Sequence, residues 1–99
     1  RNHLIRALYS SGLIEYLERE FLPKCIILFG SCSKGEYNKE SDIDLFVQSV
    51  DRKINLNKYE KLLKHKINLY FEPDINKLSN ELLNNIVNCI KLKGYLKIK

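Results

Sequence analysis

The sequence predicts a small α/β or α+β domain in which a sheet carries its helices. Three observations predict it. The run Cys25-Ile26-Ile27-Leu28-Phe29 is apolar at every position and ends at Gly30, which is how a strand buried on both faces reads. Ile67 to Glu72 alternates Ile67, Leu69 and Phe71 with Asn68, Tyr70 and Glu72, the two-residue period of a half-buried strand. Apolar residues also recur at three to four positions in two other stretches, which is the helical period. Ninety-nine residues, 44% of them hydrophobic, suffice for one domain with a core of its own.

The elements follow in order. Leu4, Ile5 and Leu8 precede a break at Ser10-Ser11-Gly12. Leu13, Leu17 and Phe21, with Ile14 beside them, then make one face of a helix that Pro23 closes. The buried strand 25–29 leads into a polar, turn-rich stretch from Gly30 to Ser41, expected to be a loop with a short helix. A second strand is expected from Ile43 to Val50, with Ile43, Leu45 and Val47 on one side. Asn57 is placed to cap a helix running through Leu62 and Leu63, and Glu60, three residues on, to complete a capping box. After the strand from Ile67, Pro73-Asp74 opens a helical pattern through Ile75, Leu78, Leu82, Ile86 and Ile90, which Gly94 ends. The tail from Lys91 to Lys99 alternates Lys with Leu92, Tyr95, Leu96 and Ile98. It reads as a basic edge strand whose lysines block aggregation, or as a strip for nucleic acid.

Composition narrows the function classes. No apolar run approaches the roughly 18 residues of a membrane span, and no signal-peptide layout opens the chain, so the expected address is the cytoplasm without a membrane partner. Three cysteines in no zinc-like spacing argue against a disulfide framework or a zinc site. Cys25 and Cys89 lie among aliphatic residues and read as small core hydrophobes. The net charge of +5 favours polyanions without choosing among them. The sequence holds no methionine, from which we expect a longer product with a module ahead of Arg1.

Chemistry concentrates between Phe29 and Leu45. A strand that ends in Gly30-Ser31 and turns into a helix directs backbone N–H groups and the positive end of the helix dipole at whatever lies before it, which suits phosphate. Gly30 lets the chain bend sharply without a Cβ in the way, and the Ser31 hydroxyl adds a donor. Asp42 and Asp44, two apart at the mouth of a strand, project from one face. Their hard oxygens suit Mg2+ or Mn2+, which favours one or two carboxylates completed by substrate phosphates. Two carboxylates so close repel without a cation, so a bound metal is the natural resolution.

The segment 28–36, Leu-Phe-Gly-Ser-Cys-Ser-Lys-Gly-Glu, followed by Ser41-Asp42-Ile43-Asp44-Leu45, resembles the signature of the DNA polymerase β-like nucleotidyltransferase superfamily. It is most similar to the minimal nucleotidyltransferases, of either the HEPN-paired antitoxin type or the archaeal type that follows a helix-turn-helix. The resemblance implies a polymerase β-like fold, a small mixed sheet flanked by helices. It implies transfer of a nucleoside monophosphate, AMP from ATP first of all, to an acceptor hydroxyl on a protein or nucleic acid. Gly30, Ser31 and Lys34 would hold the triphosphate, and Asp42 and Asp44 would be catalytic and bind Mg2+ or Mn2+. A HEPN protein would be the acceptor partner, DNA would be reached through the preceding module, and a homodimer is compatible with such a chain. The sequence departs from the family at one place. A third carboxylate belongs on the next central strand, where this chain has Asn68, which coordinates through its carbonyl oxygen but takes no proton. Glu72 shares that strand face two pleats further on and would serve only if the register shifted. The alternative reading is therefore a nucleotide-binding regulatory module of weak or lost activity, linked to a DNA-binding domain.

Other polar residues have plainer readings. Lys34 and Lys39 flank the loop as solvated charges or γ-phosphate partners. Cys32 has no base or resolving thiol beside it. His3 and His65 lack a second ligand and read as solvated, and Tyr37 is either surface or a cover for a bound base.

Overall fold

The computed structural model describes residues 2–30, 38–87 and 90–94. The chain runs α1 (Asn2–Ser10), α2 (Leu13–Phe21), β1 (Cys25–Phe29), β2 (Ile43–Val47), α3 (Asn57–Leu63), β3 (Ile67–Phe71), a 3-10 turn (Ile75–Lys77), α4 (Asn80–Val87) and β4 (Ile90–Gly94). The four strands form one mixed sheet in the order β3-β2-β1-β4. β1 is antiparallel to both β2 and β4, whereas β2 and β3 are parallel. A parallel pair needs a crossover connection, and α3 supplies it. The architecture expected from the sequence, a small mixed sheet flanked by helices, is the one found.

β1 is buried along its whole length, as its uninterrupted apolar run requires. Ile26 and Leu28 point to one side of the sheet with Ile43, Leu45, Val47 and Ile67, where Leu4, Leu8, Leu13, Leu17 and Phe21 of the first two helices and Tyr59 of α3 cover them. Cys25, Ile27, Phe29 and Phe46 point to the other side, against Leu78, Leu82 and Ile86. Each such apolar side chain fully withdrawn from water contributes about 1.5–3 kcal/mol before ordering costs are subtracted. The larger cluster is thus the main source of stability, and the smaller one covers only part of the second face.

Between α1 and α2, Ser11 Oγ donates to Leu8 O (3.0 Å) and accepts from Leu13 N (3.2 Å), while Gly12 takes φ +86° to turn the chain. The Tyr9 hydroxyl donates to Leu92 O and so ties α1 to β4. No helix among the described residues is long and apolar enough to cross a membrane.

Four local expectations change. The opening segment is a helix, with Leu4 and Leu8 one turn apart on its buried side. The strand expected to reach Val50 ends at Val47. Gln48 N still donates to Cys25 O (3.0 Å), but Ser49 N folds back to Val47 O (2.9 Å) and Val50 is 69% exposed. The capping box at Asn57 does not form. Leu56 occupies the cap, Asn55 Oδ1 accepts from Asn57 N (2.8 Å), and Glu60 Oε2 instead accepts from Ile67 N (2.8 Å), steadying the start of β3. The single long helix after Pro73 is divided. Asp74 caps the 3-10 turn through Asn76 N (3.0 Å), and Ser79 caps α4 through Leu82 N (3.1 Å). Ile90 belongs to β4, so the expected basic edge strand forms over Ile90–Gly94, while the rest of the tail lies outside the described residues.

Among the described residues, Gln48 is the buried polar one. Its Oε1 accepts from the Cys25 thiol (3.4 Å) and its Nε2 donates to Pro73 O (3.1 Å), so burial leaves neither end unsatisfied. Burial also pushes the Cys25 thiol up to about 11 against the opposing pull of Lys91. Cys25 is the small core hydrophobe expected of it; Cys89 lies outside the described residues.

Candidate functional site

The site lies where β1 ends and β2 and β3 begin, on the sheet face that α4 covers only in part. Three strands contribute to it because of their register. Phe29 stands opposite Asp44 in the antiparallel pair, and Asp44 stands opposite Asn68 in the parallel pair. Strand alternation then puts Phe29, Asp44 and Asn68 on one face, with Tyr70 following Asn68 at the next pleat.

Gly30 turns the chain out of β1 with φ +77°. Its backbone is pressed so close to β2 that a Cβ there would stand 2.5 Å from Asp44 Oδ2. The left-handed backbone favours glycine, and a Cβ would push the Asp44 carboxylate aside. The glycine bend and the aspartates therefore share one corner of the molecule, the spatial relation that phosphate binding beside a cation needs.

Asp42 and Asp44 point the same way, as their two-residue spacing predicts. Asn68 Nδ2 donates to Asp42 Oδ2 (3.0 Å) and to Asp44 Oδ1 (2.9 Å). Both N–H bonds of a single amide are thus spent on the two carboxylates, relieving the repulsion that two adjacent anions would otherwise feel. Asp42 is exposed and Asp44 half-buried, so a ligand can approach from the Asp42 side.

The segment leading into Asp42 is fixed from two directions. Asn38 N donates to Ser41 Oγ (3.0 Å), Ser41 N donates to Asn38 O (3.0 Å), and Glu40 N donates to Asn38 Oδ1 (2.8 Å). From the other side, His65 Nδ1 hydrogen-bonds Ser41 O (2.7 Å), and Ile43 N donates to Lys66 O (2.8 Å). His65, read from the sequence as solvated, is instead a half-buried clamp on the residue before Asp42. No local signal marks it: His65 lies just ahead of Ile67, and only the long-range parallel pairing of Ile67 with Ile43 brings the preceding turn beside Ser41.

Two of the expected metal positions separate. Asn68 stands with the aspartates. Glu72, offered as the alternative, lies four residues further along the strand, about 13 Å at ~3.3 Å per residue, and its Oε2 accepts from Asp74 N (3.0 Å). The register that would have brought it to the site does not occur. Ser31 and Lys34, with Cys32 and Tyr37, lie outside the described residues.

The donor set fits a divalent cation of the Mg2+ class. Two carboxylate oxygens already converge on one point, now taken by an amide N–H2 group, and the Asn68 carbonyl oxygen is on the same side chain. Among the described residues no group of three His, Cys, Asp or Glu side chains stands together at ligating distance. The remaining coordination would come from substrate phosphate and water, the usual arrangement for Mg2+.

Comparison with known proteins identifies the family. The profile of the nucleotidyltransferase domain matches residues 10–97. A protein of Methanocaldococcus jannaschii described as a candidate protein adenylyltransferase is 39% identical over 59 residues, which are 52% of this chain and 48% of that protein. The chain thus spans about half the length of this curated relative. Among solved structures, a toxin–antitoxin pair with AMP-PNP aligns over 86% of this chain and 73% of the other, with a TM-score of 0.60 and 29% identity. A mutant of the MntA–HpeT toxin–antitoxin pair aligns over the same shares at TM-score 0.59 and 26% identity. Its mutations replace by glutamate two aspartates two positions apart.

Proposed function

Because the chain belongs to the nucleotidyltransferase domain family, we propose that it transfers AMP from ATP to a hydroxyl group of a protein acceptor, with divalent metal. The observation that carries this reading is the convergence of the Asp42 and Asp44 carboxylates on one point beside the Gly30 bend. The relatives support a protein acceptor: one is described as a candidate protein adenylyltransferase, and others are toxin–antitoxin pairs, one of them with AMP-PNP. The resemblance to HEPN-paired antitoxins makes a HEPN-type toxin the proposed partner.

In the reaction the acceptor oxygen bonds to the α-phosphorus, the bond from that phosphorus to the bridging oxygen of the β-phosphate breaks, and pyrophosphate leaves. Gly30 and Ser31 cradle the triphosphate tail with backbone N–H groups, and Lys34 adds positive charge. Asp42 and Asp44 would hold Mg2+ or Mn2+, which when bound would neutralise charge on the triphosphate and the departing pyrophosphate. Asn68 holds the two carboxylates together and cannot take the acceptor proton, which leaves to one of the carboxylates or to water. His65 keeps Ser41, and with it Asp42, in place.

The test is transfer of label from α-32P-ATP, with Mg2+ or Mn2+, to a HEPN-type partner and to the chain itself. Label should pass to protein with the native sequence and be lost in the Asp42→Asn, Asp44→Asn double variant. Label that stays free under all conditions, despite metal-dependent ATP binding, would favour the second reading, a regulatory module that binds nucleotide without turnover. The double hydrogen bond from Asn68 in place of a third carboxylate is the observation behind that second reading.

A further inference from the structure

On the face that carries Asp44 and Asn68, the next residue of β3 is Tyr70, which is 43% exposed. Its ring meets that of Phe29 edge-on, with centroids 5.2 Å apart and planes at 66°. Phe29 of β1 stands in the row of Asp44 and Tyr70 of β3 in the row of Phe46, so the two rings reach toward each other diagonally over β2. Phe29 is buried, at 7% exposure, and fixes the inner edge of the tyrosine ring. The result is an aromatic surface held rigid on one side and open on the other. Among the described large apolar residues that remain exposed, namely Tyr9, Leu22, Val50, Leu62 and Tyr70, it alone stands on this strand face beside the aspartates.

The order across the sheet gives this surface a meaning. Gly30 at the end of β1 faces the phosphate tail, Asp44 on β2 faces the reacting phosphate, and β3 comes next. A triphosphate laid over Gly30 with its α-phosphate at Asp44 points its nucleoside toward β3. Tyr70 lies about 8 Å from Asp44 between Cα atoms, from ~4.8 Å across the strands and ~6.6 Å along two residues. That gap is bridged by one ribose. We propose that Tyr70 is the stacking platform for the nucleobase of the bound nucleotide, with Phe29 as its support. This assignment rests on the triphosphate reading above and adds to it the residue that recognises the base. A π-face accepts any base and favours the larger purine ring, so the platform selects for ring area, with no hydrogen bond to a base edge required.

The experiment compares ATP with inorganic tripolyphosphate, both with Mg2+, by calorimetry on the full chain. The variants are Tyr70→Phe, which keeps the ring, and Tyr70→Leu, which keeps apolar bulk over Phe29 without a π-face; circular dichroism checks that each is folded. Tyr70→Phe should hold ATP as the native chain does. Tyr70→Leu should bind ATP about tenfold more weakly, which corresponds to about 1.4 kcal/mol, while its affinity for tripolyphosphate stays unchanged. Native-like ATP affinity in Tyr70→Leu overturns the assignment, and so does an equal loss for both ligands, which marks a merely structural role. If the native chain binds neither ligand, the triphosphate reading fails and this one falls with it. If it binds tripolyphosphate as tightly as ATP, only the base platform fails.

Discussion

Replacing Gly30 by alanine probes the close approach on which the site is built. The new Cβ would stand 2.5 Å from Asp44 Oδ2, and ordinary contact begins at 3.4 Å, so the carboxylate has to retreat by about 0.9 Å. The backbone strain is separable, because Gly12 also has a left-handed backbone, φ +86°, yet a Cβ there meets nothing nearer than Tyr59 Cε1 at 4.0 Å. Gly12→Ala therefore measures the left-handed penalty alone, about 1–2 kcal/mol. At ~4–8 °C per kcal/mol for a domain of this size, that lowers the melting temperature by roughly 4–16 °C. Gly30→Ala should carry a similar penalty and, in addition, displace a proposed metal ligand. A displacement near 1 Å costs about 100-fold in a positioned reaction, and disturbing a ligand's support costs roughly 10–100-fold in metal affinity. Thermal unfolding by circular dichroism, Mn2+ titration and transfer of label from ATP measure the three quantities. Metal affinity and transfer should fall in Gly30→Ala and stay native in Gly12→Ala. If both variants melt alike and both bind Mn2+ as the native chain does, the argument from the Gly30–Asp44 contact is refuted.

Two further outcomes follow from other groups. Asn68→Asp exchanges an amide that attracts two carboxylates for a third carboxylate, so the metal-free protein should lose about 1–2 kcal/mol. Its Mn2+ affinity should rise roughly tenfold, and chemical denaturation with and without Mn2+ reads both effects; unchanged stability without metal would contradict the bridging geometry. The second outcome concerns Cys25, whose burial raises the thiol from 9.0 to about 11. The folded state then keeps a proton that the unfolded chain gives up. This contribution is intact below about pH 9 and is lost as the pH climbs toward 11, by up to about 2.7 kcal/mol at ~1.36 kcal/mol per pH unit. Urea denaturation at pH 7, 9 and 10.5 should show a shallower loss in Cys25→Val than in the native chain.

Features set by the shortest periods were legible from residues alone. Gly30 at the end of an all-apolar run, and two aspartates two residues apart, each state their geometry locally. Asn68 was reached through the family resemblance, which expects a carboxylate on that strand. Longer-range features were not legible. Ile86 and Ile90 keep the helical four-residue step, which hid the change from α4 to β4, and the edge position beside β1 decides it. Glu60 sat at capping-box spacing from Asn57, but an unpaired N–H at Ile67 competes for the same carboxylate and wins. Glu72 could be excluded only once Asp44 was seen paired with Asn68. His65 read as solvated because its partner, Ser41, is far away in sequence.

Asn68 and Tyr70 belong to β3, the outermost strand at one end of the sheet, while Asp44 and Gly30 rest on the two central strands. A peripheral strand can peel away at a free-energy cost well below that of global unfolding. Ile67 of the same strand is buried in the main core, so the proposed nucleotide site and that side of the interior would open together. A ligand that spans β1 to β3 would act as a staple across that seam, so its grip and the fraying of one border strand are governed by the same equilibrium.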